Sequence, residues 1–254
     1  MLKIAVTGTT GRMGKEIIAV IDNEVEIILT EALVRKGSKL LNVQVNQFIK
    51  LNGISDNLFF TDCLNNDKVS DVVIDFSLPI ATCNYIKQCL ELSKPIVIGT
   101  TGFNTDEKEV LQEAATKIPL LCAPNMSLGV NICYNLLASC AKCINSNWQV
   151  AINEFHHKHK KDAPSGTAVK MREVIAKSGD IDENSIQTNS VRAGDLIGEH
   201  NIFFIGDGES IEITHKATNR EAFAKGAVIA AKWLVNQKPG FYTMQDVIYS
   251  LSFS

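Results

Sequence analysis

The sequence predicts an α/β protein, a doubly wound parallel sheet followed by a smaller α+β domain. Three observations carry that prediction. Short apolar runs alternate with helical stretches through the first half of the chain. A glycine-rich turn separates the first run from the first helical stretch. Beyond about residue 125 the alternation gives way to helices beside strand-like runs with short turns.

Residues 3–7, 25–30, 72–76, 95–98 and 119–122 are the apolar runs. Interior strands of a parallel sheet are covered on both faces, so they read as continuous runs rather than as alternation. Between them, Ile17, Ile18 and Ile21 share a helical face, as do Ile86, Cys89 and Leu90. The stretch 105–115 places Asp106 and Glu107 ahead of Val110, Leu111 and Ala114, the charge order a helix N-terminus prefers. In the second half, helices are predicted over 129–143, 166–177 and 221–234, with a strand over 148–154. Residues 186–193, 201–205 and 209–215 alternate like antiparallel strands. Lys238-Pro239-Gly240 reads as a turn, and residue pattern alone does not place the tail that follows it.

Composition narrows the function. A chain of 254 residues with 45% hydrophobic and 21% charged residues has enough apolar material for a substantial core. A net charge of −3 argues against nucleic acid or an anionic membrane as partner. No apolar run approaches the roughly 18 residues of a membrane span, and the N-terminus enters a strand without a signal-cleavage region, so a cytoplasmic protein is expected. The seven cysteines are an odd number, which suits reduced thiols better than a disulfide framework. Cys140 and Cys143 form the one C-x-x-C pair. It lies late in a helical stretch, far from the helix N-terminus that would activate a redox thiol, and reads as two cysteines on one core face.

Gly8, Gly11 and Gly14 space the first turn as G-x-x-G-x-x-G, with Thr9, Thr10, Arg12 and Met13 between them. Glycine permits a tight turn and close approach of a pyrophosphate, and the following helix offers unpaired N–H groups at its positive end. Loops carrying Gly99, Thr100, Thr101 and Gly102, and Ala123, Pro124, Asn125, Met126 and Ser127, follow two later strands. Three such loops converge on one sheet edge, as a dinucleotide site requires. Near the end of the second strand, Glu31 is a candidate acid for a ribose diol. Arg35 and Lys36 in the same turn either suit a 2′-phosphate, pointing to NADPH, or form a solvated basic turn.

The segment from Glu154 to Ala168 is the most informative. His156, His157 and His159 interleave with Lys158, Lys160 and Lys161, and Asp162-Ala163-Pro164-Ser165-Gly166-Thr167 then opens a helix. Histidine exchanges protons near neutral pH, lysine supplies a fixed cation, and the helix N-terminus receives a carboxylate or phosphate. Such a cluster suits an anionic substrate that must also be protonated. Three other readings stand beside it: a zinc site with Glu154 or Asp162, which the adjacent lysines oppose; a nucleic-acid patch, which the acidic whole opposes; and a solvated basic loop.

These residues resemble the dihydrodipicolinate reductase family nearly end to end. The likeness runs through residues 8–14, Asp75-Phe76-Ser77, Gly99 to Phe103, Ala123 to Ser127, residues 154–168, Arg192-Ala193-Gly194, Gly198-Glu199-His200 and Thr214-His215-Lys216-Ala217. The run His-His-x-x-Lys-x-Asp-Ala-Pro-Ser-Gly-Thr is its specific part. The resemblance implies a Rossmann-like doubly wound sheet, with residues 1–126 and 237–254 binding the dinucleotide. It implies that residues 127–236 form an α+β domain with an open mixed sheet that binds substrate and builds a homotetramer. It implies hydride transfer from NADPH or NADH to C4 of a cyclic dicarboxylate in the diaminopimelate route to lysine, with a proton to C3. His156 then matches the general acid and Lys160 the assisting cation; His157, Gly166 and Thr167 match carboxylate contacts. Gly8, Thr9, Thr10, Gly11, Arg12, Met13, Arg35, Gly99, Thr100, Thr101, Ala123, Pro124, Asn125 and Met126 match cofactor contacts. No metal is implied.

One departure concerns the cofactor. Many relatives carry an acid immediately before the residue matching Arg35, and this chain has Val34 there, which tilts the expectation toward NADPH. Met126 is expected against the nicotinamide as an adaptable apolar side chain. A dinucleotide-binding sensor without activity is the competing class, but it has no use for a proton donor beside an anion site. A semialdehyde dehydrogenase would need an activated cysteine, and none lies in the histidine–lysine segment.

Overall fold

The computed structural model describes residues 1–50, 57–67 and 69–251. It divides into two compact units, Met1–Ser127 with Glu221–Ser254, and Leu128–Arg220.

The first unit is built on a seven-stranded parallel sheet. In chain order its strands are β1 (Leu2–Thr7), β2 (Ile27–Leu33), β3 (Phe60–Thr61), β4 (Val72–Asp75), β5 (Ile96–Ile98), β6 (Pro119–Cys122) and β11 (Gly240–Tyr242). They lie side by side as β11-β6-β5-β4-β1-β2-β3. From β1 the chain winds outward through β2 to β3, then returns to β4 on the other side of β1. The order therefore reverses at β1, and the carboxyl edge there is the switch point where such sheets bind ligands.

Helices α3 (Pro79–Leu92) and α4 (Thr105–Ala115) pack together over part of this sheet, and α4 begins with a capping box between Asn104 and Glu107. Helix α1 (Arg12–Asp22) packs with α7 (Glu221–Leu234). The short helix α2 (Val45–Phe48) lies between β2 and β3, and α8 (Met244–Leu251) ends the described chain.

Several boundaries depart from expectation. Strand β2 starts later than predicted because Val25 is 89% exposed, an apolar residue in the turn. The edge strands β3 and β11 are too short to leave a pattern in the sequence. Gly240, read as part of a turn, opens β11 beside Pro119. Most consequential is α7, which the boundary at residue 236 places in the second domain. It packs on α1 and on β4, β5 and β6, burying Ala224, Ala227, Val228 and Ala231, and so belongs to the first unit. Helical periodicity identifies an apolar face but not the layer that covers it.

The second unit stacks α5 (Leu128–Cys143) and α6 (Gly166–Gly179) on a four-stranded sheet. Its order is β10 (Glu209–Ala217), β9 (Gly198–Gly206), β7 (Gln149–His156), β8 (Gln187–Arg192). Val150, Ile152, Ile202 and Phe204 from the strands meet Leu137, Met171 and Ile175 from the helices in one core. Strand β8 runs parallel to β7, against the antiparallel expectation. The reason is α6, which carries the chain from the end of one strand back to the start of the other. The sheet is therefore mixed. Cys140 is half-buried beside this core but Cys143 is exposed, so the pair does not share a core face. Among the described residues, no helix is long and apolar enough to cross a membrane.

Candidate active site

The first unit gathers the glycine loops at its carboxyl edge. Gly8 adopts φ +65°, and a Cβ there would lie 2.3 Å from the Phe76 carbonyl oxygen. A Cβ on Gly99 would lie 2.2 Å from the Phe76 ring. Phe76 thus wedges between the loops at Gly8 and Gly99, and at Gly8, where the clash is with backbone and φ is positive, only glycine fits. Helix α1 begins after Gly11, which offers no side-chain cap, and its first turn has no acidic residue. Its leading N–H groups and the exposed Arg12 are suited to a pyrophosphate. The residues present therefore fit a dinucleotide.

Within these loops fewer of the expected contact residues are exposed than the sequence implied. Thr10, Gly11 and Arg12 are exposed and Met13 is half-buried. Thr9 is buried, and its hydroxyl donates to the Leu33 carbonyl at 2.8 Å. Thr100 is buried and donates to Asp75 at 2.8 Å, leaving Thr101 and Gly102 on the surface. Ala123 and Met126 are buried, whereas Pro124 is exposed and Asn125 half-buried. The Met126 side chain, 1% exposed, has no open apolar face of the kind expected against a nicotinamide. After buried Val34, Arg35 and Lys36 stand exposed in a turn closed by the Ser38 N–H on the Arg35 carbonyl, with Gly37 at φ +74°. Glu31 does not reach that turn. It is buried within β2 and accepts the Asn65 N–H at 2.6 Å, so it is no ribose ligand.

In the second unit the inward face of β7 runs Val150, Ile152, Glu154, His156. Period-two alternation thus carries a carboxylate and an imidazole to the same side as the core. Glu154 Oε2 bonds Nδ1 of His156. Arg192, opposite His156 on β8, grips both carboxylate oxygens at 2.9 and 2.6 Å. The Ser165 N–H donates to Oε1 at 3.2 Å. Ser165 caps α6 through the Ala168 N–H and meets Nε2 of His200 at 3.1 Å. The His200 ring stands edge-on to that of His156, centroids 5.2 Å apart. The opposite ring nitrogen of His156 lies against Gly198, where a Cβ would sit 3.0 Å from Nε2.

Beyond His156 the chain turns out of the sheet. His157 is half-buried, and His159 and Lys158 are exposed. Lys160 pairs with Asp162 at 2.9 Å, a partly exposed ion pair of the kind that contributes little and yields readily to another anion. Gly166, exposed, and Thr167, half-buried, form the first turn of α6. Among the described residues, nothing beyond its chain neighbours and its own helix backbone lies within 4 Å of where a Gly166 Cβ would stand.

The electrostatics match this arrangement. Burial alone would raise the Glu154 carboxyl, but Arg192, Ser190 and His156 outweigh it and hold it down to about 2. Burial lowers His156; Glu154 opposes that shift, and Lys160 and Arg192 add to it. Burial, followed by the charge of His156, pushes His200 down to about 3. Glu154, His156 and His200 also bring three metal-binding donor atoms within 4.8 Å of one another. Arg192 already occupies that carboxylate, and its charge repels a cation.

Glu154, Arg192, His200 and Gly198 received no catalytic role from sequence reasoning. Glu154 entered only as a metal partner, although its i, i+2 spacing from His156 on a strand placed both on one face. Arg192, His200 and Gly198 lie in segments of the family likeness, but only strand pairing brings them to His156.

A doubly wound sheet with such a turn at its switch point is the architecture of a dinucleotide-binding protein. Family comparison is specific. Residues 2–126 match the family model described as dihydrodipicolinate reductase, N-terminus, and residues 129–248 match its C-terminus. The chain belongs to the dihydrodipicolinate reductase family, the NAD(P)H-dependent reductases of the diaminopimelate route to lysine. It is 42% identical over 265 residues to the 4-hydroxy-tetrahydrodipicolinate reductase of Geotalea uraniireducens, covering 98% of this chain and 99% of the relative. The reductase of that name from Pseudoalteromonas atlantica is 43% identical over 267 residues, with coverage of 98% and 99%. Among solved structures, the dipicolinate-bound dihydrodipicolinate reductase of Paenisporosarcina sp. TG-14 is 25% identical. It covers 97% of this chain and 99% of that one, with a TM-score of 0.78. Aspartate semialdehyde dehydrogenase II of Vibrio cholerae, 14% identical with a TM-score of 0.58 and coverage of 93% and 99%, shares the fold alone.

Proposed function

We propose that this reductase reduces the cyclic imine–diene dicarboxylate derived from 4-hydroxy-tetrahydrodipicolinate, with His156 delivering the proton to C3 and NADPH preferred over NADH. The bound nicotinamide supplies the hydride that arrives at C4. The observation that carries this reading is the Glu154–His156 pair at the end of β7. With Nδ1 held by the carboxylate, Nε2 is the nitrogen that exchanges a proton. An arriving dianion favours the imidazolium and offsets the burial that keeps the ring neutral in the free protein. His157 and the first N–H groups of α6 at Gly166 and Thr167 bind its carboxylates, and Lys160 releases Asp162 to serve as second cation and proton donor. On the cofactor side, Gly8 to Met13 receive the pyrophosphate, and Arg35 with Lys36 a 2′-phosphate.

The same reading includes a homotetramer and a cytoplasmic location. Exposed Val191, Ile205 and Ile211 on the second sheet support the first, and seven free thiols the second. Light scattering coupled to gel filtration tests the assembly.

The activity test follows NADPH absorbance, then NADH, with substrate made in situ from pyruvate and aspartate semialdehyde by a condensing synthase. Substrate-dependent oxidation, faster with NADPH at low cofactor, is expected. His156→Gln lowers kcat by roughly 100-fold or more with little change in KM, and Lys160→Ala worsens both. A folded wild-type protein that binds cofactor but oxidises none would be a sensor, and the proposal would fall.

A further inference from the structure

Asp75 ends β4 and is fully buried at the carboxyl edge of the first sheet. Among the described residues, the donors to its carboxylate are all hydroxyls. Thr7 and Ser77 donate to Oδ1, the latter at 2.6 Å, and Thr82 and Thr100 donate to Oδ2 at 2.5 and 2.8 Å. The four donors come from four segments: the end of β1, the loop after β4, the first turn of α3 and the loop after β5. Three of them adjoin the wedge described above. Thr7 precedes Gly8, Ser77 follows Phe76, and Thr100 follows Gly99. Thr100 also accepts the Ser77 N–H at 3.0 Å, which ties the loops after β4 and β5 directly.

We propose that Asp75 is a positioning residue of the cofactor site, a buried carboxylate that gathers four hydroxyls and thereby sets the loops at Gly8, Phe76–Ser77 and Gly99–Thr101 against one another. The inference rests on the reading that these loops hold the dinucleotide. A hydroxyl has one proton, and Asp75 is the acceptor all four share; Thr82 lies in addition 3.2 Å from the Leu78 carbonyl and 3.3 Å from the Ser77 hydroxyl. Removing that acceptor takes from the buried Thr7 and Thr100 hydroxyls the carboxylate they donate to and frees the strand ends they anchor. Phe76 then loses its register between Gly8 and Gly99, and the ligand-facing backbone moves. The same polarity has a chemical consequence at Ser77, the one half-buried hydroxyl of the four. With its proton on Asp75, its oxygen is left as an acceptor, shared with the Thr82 hydroxyl 3.3 Å away.

Thr82 is the discriminating position, because it is fully buried in α3 and cannot touch a ligand. NADPH dissociation constants are measured by fluorescence, well below each variant's melting temperature, together with kcat at saturating cofactor. Thr82→Val is expected to raise the NADPH Kd about tenfold with kcat within about twofold, and Thr82→Ser to restore tight binding. Asp75→Asn is expected to weaken binding further; Thr82→Val carries the test if that variant does not fold. A merely structural role lowers melting temperature in Thr82→Val and leaves Kd at the wild-type value, which would overturn the inference alone. Wild-type protein that binds no dinucleotide would overturn the cofactor reading and this inference with it.

Discussion

Glu154 and His156 stand two residues apart on the inner face of β7, and the carboxylate of the first holds Nδ1 of the second. The bond orients the ring and raises its proton affinity against burial, Lys160 and Arg192, all of which lower it. Glu154→Gln removes the charge while keeping the shape. The expected result is a fall in kcat of about 10- to 100-fold, with the titration of the acid moving to lower pH. A pH series of kcat/KM checks it. Loss of activity at an unchanged pH dependence would assign Glu154 to stability alone.

Acid sensitivity follows from the buried histidines. His156, His200 and His215 all have depressed proton affinity, so they are neutral when folded. The unfolded chain takes up protons below about 6.5. Their contribution to stability is therefore full above that value and is lost as pH falls, for His200 down to about 3. Glu154 acts in the same direction at lower pH, its contribution full above the ordinary 4.5 and lost as pH falls through about 2. Melting temperature should decline steadily on acidification from neutrality, and His200→Gln should flatten the decline. Each histidine contributes at most about 1.4 kcal/mol per pH unit. A wild-type melting temperature constant from pH 7 to 4 would refute this.

Cofactor choice rests on the exposed pair after Val34. Replacing both Arg35 and Lys36 by alanine should reduce kcat/KM for NADPH about tenfold and leave NADH within about twofold. Added salt should erode the NADPH preference of the wild type, because both cations are solvent-facing. Equal losses with the two cofactors would make the turn a general anion site.

Gly226 sets the fit of α7. Helix propensity favours alanine over glycine there by roughly 0.5–1 kcal/mol. A Cβ, however, would sit 1.7 Å from the Met126 carbonyl oxygen, a backbone atom that cannot swing aside. The clash should win, and Gly226→Ala should destabilise the protein by about 1–3 kcal/mol in denaturant unfolding. A neutral or stabilising result would show that α7 shifts freely.

The parallel core of the first sheet was legible in the sequence because buried strands leave continuous apolar runs, and β1, β4, β5 and β6 lie close to where those runs fall. Strand β7 extends past its predicted end to His156, since polar residues on the inward face break an apolar pattern. The segment from His156 to Thr167 was legible as chemistry because it gathers three of the chain's five histidines beside three lysines and a helix start, in a chain of net charge −3. Its partners were not. Arg192 and His200 reach Glu154 through strand pairing, a relation between distant segments that local composition does not encode.

By itself the sequence determined the fold class, the family and the types of residue that meet an anion and a dinucleotide. Local spacing suffices for that, because turns, strand runs and helix starts are properties of a few neighbouring residues. Tertiary structure alone decided which layer receives α7, that β8 runs parallel to β7, and that Thr9, Thr100 and Met126 face inward. It also decided that Asp75 and Glu154 are each surrounded by donors from segments far apart in the chain. Those outcomes depend on pairing and burial, where each residue's role is set by what the rest of the chain places against it.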